Sequence, residues 1–378
     1  MYRHDNRIVA TLDAGGTNFV FGAMQAQKFI IEPISIPADA HDLDLCLKNL
    51  VKGFRMVFDS LKEKPVAISF AFPGPADYKN GIIGGYLPNF PSFREGVALG
   101  AFLEKQFGVP VYINNDGDLF TYGEALCGVL PEINARLKDA GSTKEYQNLI
   151  GYTWGTGLGI GVVVNGRLNR GDNSCVETFC LRHRDMPDII AEDGVSIRAV
   201  QRVYGELCGN AGHGLTPKDI CDIADGKQPG DKEAAQQAFA TLGRVAGAAI
   251  ATAVTITDGL VVIGGGLAGA SRWIMPALLQ EMRSTIHTLS GDEVGLMQMQ
   301  VFDLENADEF ELFAKGEVKK VKVYGEDFYV DYDCMKRTGI ALSKQGASKA
   351  VSVGAYAFAL SEIDKKTAPG KGGVLKNY

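Results

Sequence analysis

The chain opens with two short apolar runs separated by small residues, "RIVATLDAGGTNFVFGAM". This pattern predicts a β-hairpin turning at Gly15 and Gly16. The same plan returns from Leu149 in "LIGYTWGTGLGIGVVVNG", with Gly155, Thr156 and Gly157 at the turn. Two copies of one supersecondary unit so far apart predict a duplicated two-domain α/β chain; a solenoid would repeat at a much shorter period. Between the hairpins, "PVAISFAFPGPAD" reads as a buried strand entering a Pro-Gly turn and "GGYLPNFPSF" as a loop. "EGVALGAFLEKQF" follows as a helix and "VPVYIN" as a strand. Beyond the second hairpin the period becomes helical at 194–207 and 231–257. "GLVVIGGGLAGAS" is a strand, a turn at Gly264, Gly265 and Gly266, and a helix start. Residues 301–335 are less regular, and "VKKVKVYGEDFYVDYD" alternates about Gly325 to Asp327 as an added hairpin. "GASKAVSVGAYAFAL" predicts a closing helix, and "TAPGKGGVLKNY" a loose tail.

Composition narrows the class. The 378 residues are 46% hydrophobic and 22% charged, enough for two or three domains with cores of their own. The formal net charge is −7, and Lys and Arg form no strong cluster, so no nucleic-acid footprint is expected. No uninterrupted apolar run of membrane-spanning length is evident, and the N-terminus lacks a signal-peptide core. The seven cysteines are scattered with no CxxC pair, which fits reduced thiols in a cytoplasm.

The glycine turns are where chemistry enters. Glycine lets backbone N–H groups approach a phosphate without a clashing Cβ, and threonine adds a hydroxyl donor. A lone Gly-Gly turn more often serves hairpin geometry alone. Neither hairpin turn carries the GK[ST] of a P-loop or runs into a helix as a dinucleotide fingerprint would. Three such turns after three strands suggest a nucleotide held between two domains. "YINNDGDLFTYGE" (112–124) adds carboxylates at a strand end, where open α/β sheets place their chemistry. Its spacing begins like a calcium loop, but the required Gly and Glu positions are Leu119 and Ala125, so that loop fails. An Asx turn with a helix N-cap accounts for one aspartate, Asp118, and leaves Asp116 for other work.

"LDAGGTN", "INNDGDLFTYGE", "GTGLGIGVVVNG" and "LVVIGGGLAGAS", with "FPGPAD" and "LPNF", resemble the ROK family of repressors, open reading frames and kinases. The resemblance runs from about residue 7 to 300 and resumes at 346–360, leaving 301–335 as an apparent insertion. It implies a two-domain ribonuclease-H-like fold of the actin and sugar-kinase superfamily. The small domain would take 1–115 with 346–362, the large domain 116–345, and a flexible tail 363–378. It implies ATP-dependent phosphorylation of a hexose or N-acetylhexosamine by a cytoplasmic homodimer whose partners are sugar and ATP, with neither nucleic acid nor membrane. Asp116 would be the catalytic base. Gly74, Asn89, Asn115, Glu177 and Glu192 would contact the sugar. Asp13, Gly15, Gly16, Thr17, Gly155, Thr156 and Gly157 would hold phosphates, Gly264, Gly265 and Gly266 would flank the adenosine, and Asp13 would orient Mg2+ through water. Attack by a sugar hydroxyl on a γ-phosphate needs a carboxylate to take the proton and donors to neutralise the phosphate, so the chemistry agrees. Without the resemblance, Glu177 and Glu192 would each read as surface residues.

The chain also departs from the family. In "VETFCLRHRDMPDIIAED", Cys180 stands where the family has a histidine, and the zinc-binding cysteines that follow it are missing. Cys175, Cys180 and His183 leave a structural zinc one ligand short, so none is expected. The alternative is a catalytically silent sugar sensor of the same family. A DNA-binding repressor is disfavoured because the first strand begins near Arg7.

Overall fold

The first apolar run folds as β1 (Val9–Ala14), buried from Val9 to Leu12, and returns antiparallel as β2 (Asn18–Gln25). This is a computed structural model; it describes residues 1–74, 76–209 and 214–367. The chain divides into one unit of residues 1–123 with the segment from Val351 onward, and a second of residues 124–350.

In the first unit, β3 (Lys28–Phe29) and β4 (Ile34–Pro37) both pair with β2. Helix α1 (Leu43–Asp59) starts where Asp42 accepts a hydrogen bond from the Leu45 N–H, satisfying a first-turn donor. It lies so close to the sheet that a Cβ at Gly53 would stand 2.1 Å from the Phe21 ring. β5 (Ala67–Ala71) runs parallel to β1, and β6 (Ala76–Asp77) with β7 (Ile82–Ile83) forms a small ribbon. α2 (Leu99–Phe107) ends on Gly108 at φ 63°, a left-handed cap that glycine takes without strain. β8 (Val111–Asn114) then pairs parallel with β5 and leads into α3 (Asp116–Cys127). The sheet order is β3-β2-β1-β5-β8. Its core holds a chain of phenylalanines, with Phe72 and Phe90 centred 4.6 Å apart and Phe21 edge-on to Phe54 at 5.0 Å. Each such ring contributes about 1.5–3 kcal/mol by leaving water.

The second unit repeats the plan. After α4 (Val129–Asp139), β9 (Leu149–Trp154) and β10 (Leu158–Val164) form the second hairpin, extended by β11 (Arg167–Leu168). Helices α5 (Ile197–Leu207), α6 (Pro217–Ala224) and α7 (Lys232–Thr257) follow, each entered through a capping residue: Ser196, Thr216 and Asp231. β12 (Leu260–Gly264) lies parallel to β9 and feeds α8 (Ser271–Met282). A ribbon of β13 (Thr285–His287) and β14 (Glu293–Gly295), then β15 (Gln300–Asp303), α9 (Ala307–Lys315) and a ribbon of β16 (Val318–Lys322) and β17 (Tyr329–Asp333) lead to β18 (Arg337–Leu342) and α10 (Ala347–Thr367). The order β11-β10-β9-β12-β18-β15 contains the same motif as the first sheet: a hairpin followed by parallel strands.

Three expectations need correction. Residues 301–335 are not one insertion: β15 pairs with β18 in the main sheet, and only the β16–β17 ribbon stands apart from it. α10 continues to Thr367, through the first residues of the expected loose tail; the rest of that tail, 368–378, lies outside the described residues, as does Pro75 of the Pro-Gly turn. α7 is long and apolar enough to cross a membrane, with a mean hydropathy of 1.5 over its best window, although its Arg244 and threonines break the run in the sequence. In the fold it is a core helix: 61% of that window is buried. Gly243 and Gly247 bring its backbone against α8, where added Cβ atoms would lie 2.3 and 2.7 Å from the carbonyls of Ile274 and Leu278.

Candidate active site

Register aligns the first group of residues. Asp13 on β1 pairs with Ala71 on β5, and Ala71 with Asn114 on β8, so three parallel strands end level. Beyond that line lie the β1–β2 turn, Gly74, and Asn115 with Asp116. Asp13 and the turn residues Gly15, Gly16 and Thr17 are exposed. Gly16 packs on the loop carrying Asn89: a Cβ there would stand 3.0 Å from the Asn89 Cβ. Asn89 therefore joins the first turn although it is remote in sequence, and its side chain is exposed. Gly74 lies under the Tyr78 hydroxyl, which donates to the Phe72 carbonyl at 2.9 Å.

Asn115 and Asp116 sit at the entry to α3. The Gly117 N–H is shared between Asn115 Oδ1 at 2.8 Å and Asp116 Oδ1 at 2.9 Å. The cap is thus Asn115 and not Asp118, which lies inside the first turn and is buried. Sequence spacing alone did not separate an Asx cap from an acidic first-turn residue, since helix N-termini favour both. Asp116 reaches solvent, yet the surrounding protein raises its carboxyl above the ordinary value by desolvation. The negative charge of Asp13 adds to the rise, and the N–H groups of the helix start oppose it.

The second group lies on the other sheet. In the β9–β10 turn, the Gly155 N–H donates to the Gly157 carbonyl at 3.1 Å. Glu192 reaches the turn from a later loop: its Oε2 accepts the Leu158 N–H at 3.0 Å and would stand 2.6 Å from a Cβ at Gly157. Glycine at 157 is what lets the carboxylate approach. The Gly155 carbonyl accepts the Ile197 N–H at 2.9 Å, just past the Ser196 cap of α5. The family resemblance singles out Glu192 but not Arg198 on the same segment. Next to this turn, Gly264 pairs with Thr153. Gly265 adopts φ 92°, and a Cβ there would fall 2.3 Å from the Trp154 carbonyl oxygen. Only glycine fits that close approach.

Glu177 is half-buried beside the same sheet, and its charge adds to the desolvation that raises the Tyr152 hydroxyl. The loop that follows pairs back on itself, with the Glu192 N–H donating to the Phe179 carbonyl at 3.2 Å and the Ala191 N–H to the Leu181 carbonyl at 2.7 Å. This brings the Glu177 and Glu192 segments together. Cys175 and Cys180 are exposed. His183 is buried: its Nδ1 accepts the Asp185 N–H at 3.2 Å, and Nε2 lies against Gly194. Desolvation lowers its pKa, so it is neutral at physiological pH. Among the described residues, no group of three or more His, Cys, Asp or Glu side chains is arranged to hold a metal.

The ROK family model matches residues 9–179. A crystal structure of glucokinase from Parabacteroides distasonis is 57% identical, covers 96% of this chain and 99% of its own, and has a TM-score of 0.89. A beta-glucoside kinase of Listeria monocytogenes is 26% identical over 220 residues, 56% of this chain and 67% of its own length. A ROK family glucokinase from Streptomyces griseus, solved with glucose and AMPPNP, has a TM-score of 0.59 over 93% of this chain and 98% of its own. At 16% identity the last likeness bears on the fold, which is the duplicated two-domain α/β architecture expected from the paired hairpins.

Proposed function

The chain belongs to the ROK family, and from that premise we propose that it transfers the γ-phosphoryl group of ATP to a hydroxyl of a hexose or N-acetylhexosamine, with glucose the first sugar to test. The observation that carries this reading is Asp116: a solvent-reaching carboxylate of raised pKa at the end of β8, beside Asn115 and within the field of Asp13. A group so placed suits a proton acceptor, because a base works best when its pKa approaches the working pH.

In this mechanism Asp116 orients the attacking hydroxyl and takes its proton as the oxygen–hydrogen bond breaks. The new oxygen–phosphorus bond forms while the bond to the β–γ bridging oxygen breaks, leaving sugar phosphate and ADP. Gly74, Asn89, Asn115, Glu177 and Glu192 hold the remaining hydroxyls. Gly15, Gly16, Thr17, Gly155, Thr156 and Gly157 offer N–H and hydroxyl donors to the phosphates, and Gly264, Gly265 and Gly266 border the adenosine. Mg2+ binds nucleotides mainly through phosphates and water, so one exposed carboxylate is a fitting protein partner; Asp13 would hold it, and the bound ion would supply charge neutralisation on the phosphates. We place the reaction in the cytoplasm and the active species as a homodimer.

The test is ADP release over glucose, fructose, N-acetylglucosamine and N-acetylmannosamine. Turnover with any of them supports the kinase. A sugar that binds without turnover supports the silent sensor instead.

A further inference from the structure

The β9–β10 turn is held from outside as well as by its own Gly155–Gly157 hydrogen bond. Segment 192–198 meets it residue by residue: Glu192 on the Leu158 N–H, Ile197 on the Gly155 carbonyl, and Arg198 on the Thr156 carbonyl, with its Nη1 donating at 3.3 Å. Arg198 is also tied to the segment, with Nη2 lying 3.5 Å from Glu192 Oε1 and 3.6 Å from Asp193 Oδ1. One guanidinium therefore joins the backbone of the turn to the carboxylate that positions the following residue. Its planar fork is suited to reach several acceptors at once.

We propose that Arg198 is a positioning residue for nucleotide binding, holding the Gly155–Gly157 turn in register through Thr156 and Glu192. The inference rests on the kinase reading, since it takes this turn to face the phosphates of ATP. Glu192 then serves the nucleotide side through Oε2 even where it also meets sugar, and the two functions are separable at Arg198. The residue sits at the start of α5 with its side chain largely in water, so its loss leaves the buried core intact.

The experiment compares the parent with Arg198→Met and Arg198→Lys by steady-state kinetics and by calorimetric titration with AMPPNP. Arg198→Met is expected to raise the KM for ATP and the Kd for AMPPNP by about three- to tenfold, the range for a partly exposed charge-assisted hydrogen bond. The sugar KM and the melting temperature should stay unchanged. Arg198→Lys should recover part of the loss, because lysine keeps the charge but not the fork. Unchanged AMPPNP affinity in Arg198→Met overturns the proposal, as does a rise confined to the sugar KM. A parent that binds AMPPNP but phosphorylates no sugar sinks the kinase reading alone, and the titration still decides the role of Arg198. A parent that binds no nucleotide overturns both.

Discussion

The base proposed at the end of β8 would have to stay charged where the fold resists charge. Desolvation and Asp13 raise the Asp116 carboxyl, so the folded chain holds that proton more tightly than the unfolded chain does. The sign follows: this group's contribution is most favourable below its unfolded pKa, and stability is lost as pH rises through the folded value. Asp116→Asn should therefore melt no lower than the parent at pH 7, while kcat falls by about 10²–10⁴-fold if Asp116 is the proton acceptor. Near-parent turnover in this variant would remove the proposed base. His183 runs the other way. Burial lowers its pKa, so its contribution is complete above the ordinary histidine value and is lost as pH falls below it. His183→Gln should flatten the fall in melting temperature between neutral and mildly acidic pH; parallel curves for variant and parent would exclude the effect. At this scale the sequence was partly readable. Asp116 and the glycine turns stood out as a carboxylate and small residues at strand ends, whereas Asp13 was singled out only by the family resemblance. The Asn115 cap, the approach of Glu192 to Leu158 and the contacts of Arg198 did not, because they depend on side-chain direction and on loops folding back from distant positions.

Among the elements, alternation and glycine punctuation revealed both hairpins, the strand before each turn, and helices α5 and α7. They did not reveal β15 or β18, short strands separated by a helix and a ribbon, whose pairing with each other is a long-range event. α1 was also missed, although Asp42 caps it and its buried Cys46, Leu50, Gly53, Phe54 and Val57 fall at helical spacing. The β12–α8 connection offers the sharpest test at this scale. Gly265→Ala would have to accept φ 92° and a Cβ 2.3 Å from the Trp154 carbonyl oxygen. Strain and overpacking together should cost about 2–4 kcal/mol, read as a lower denaturant midpoint, and AMPPNP should bind more weakly. Gly266→Ala, with open space around its added Cβ, is the control that should stay close to the parent. If both variants behave alike, the close approach of Gly265 to Trp154 is not what fixes this turn.

For the whole molecule, each unit has its own hydrophobic core, and each sheet carries one hairpin turn expected to hold phosphates. The metal should act only in the chemistry. Chelation with EDTA is expected to abolish turnover, restored by Mg2+, without lowering the melting temperature, and elemental analysis should find no stoichiometric zinc. One tightly held zinc per chain, or unfolding on chelation, would contradict this. The route of the chain between the units has a further consequence. The first unit is completed by α10, whose Gly354 packs against the Leu119 carbonyl and whose Tyr356 hydroxyl receives the Ala26 N–H at 3.1 Å. The second unit is continuous from 124 to 350. During synthesis, residues 1–123 must wait for α10 to leave the ribosome, while residues 124–350 carry all the strands of their own main sheet. Residues 1–123 therefore stand with the α3 surface uncovered while residues 124–346 are being made. A nonsense codon just before Ala347 would leave that surface permanently bare, giving a product fit for chaperone capture and degradation, even though every residue proposed for chemistry had already been made.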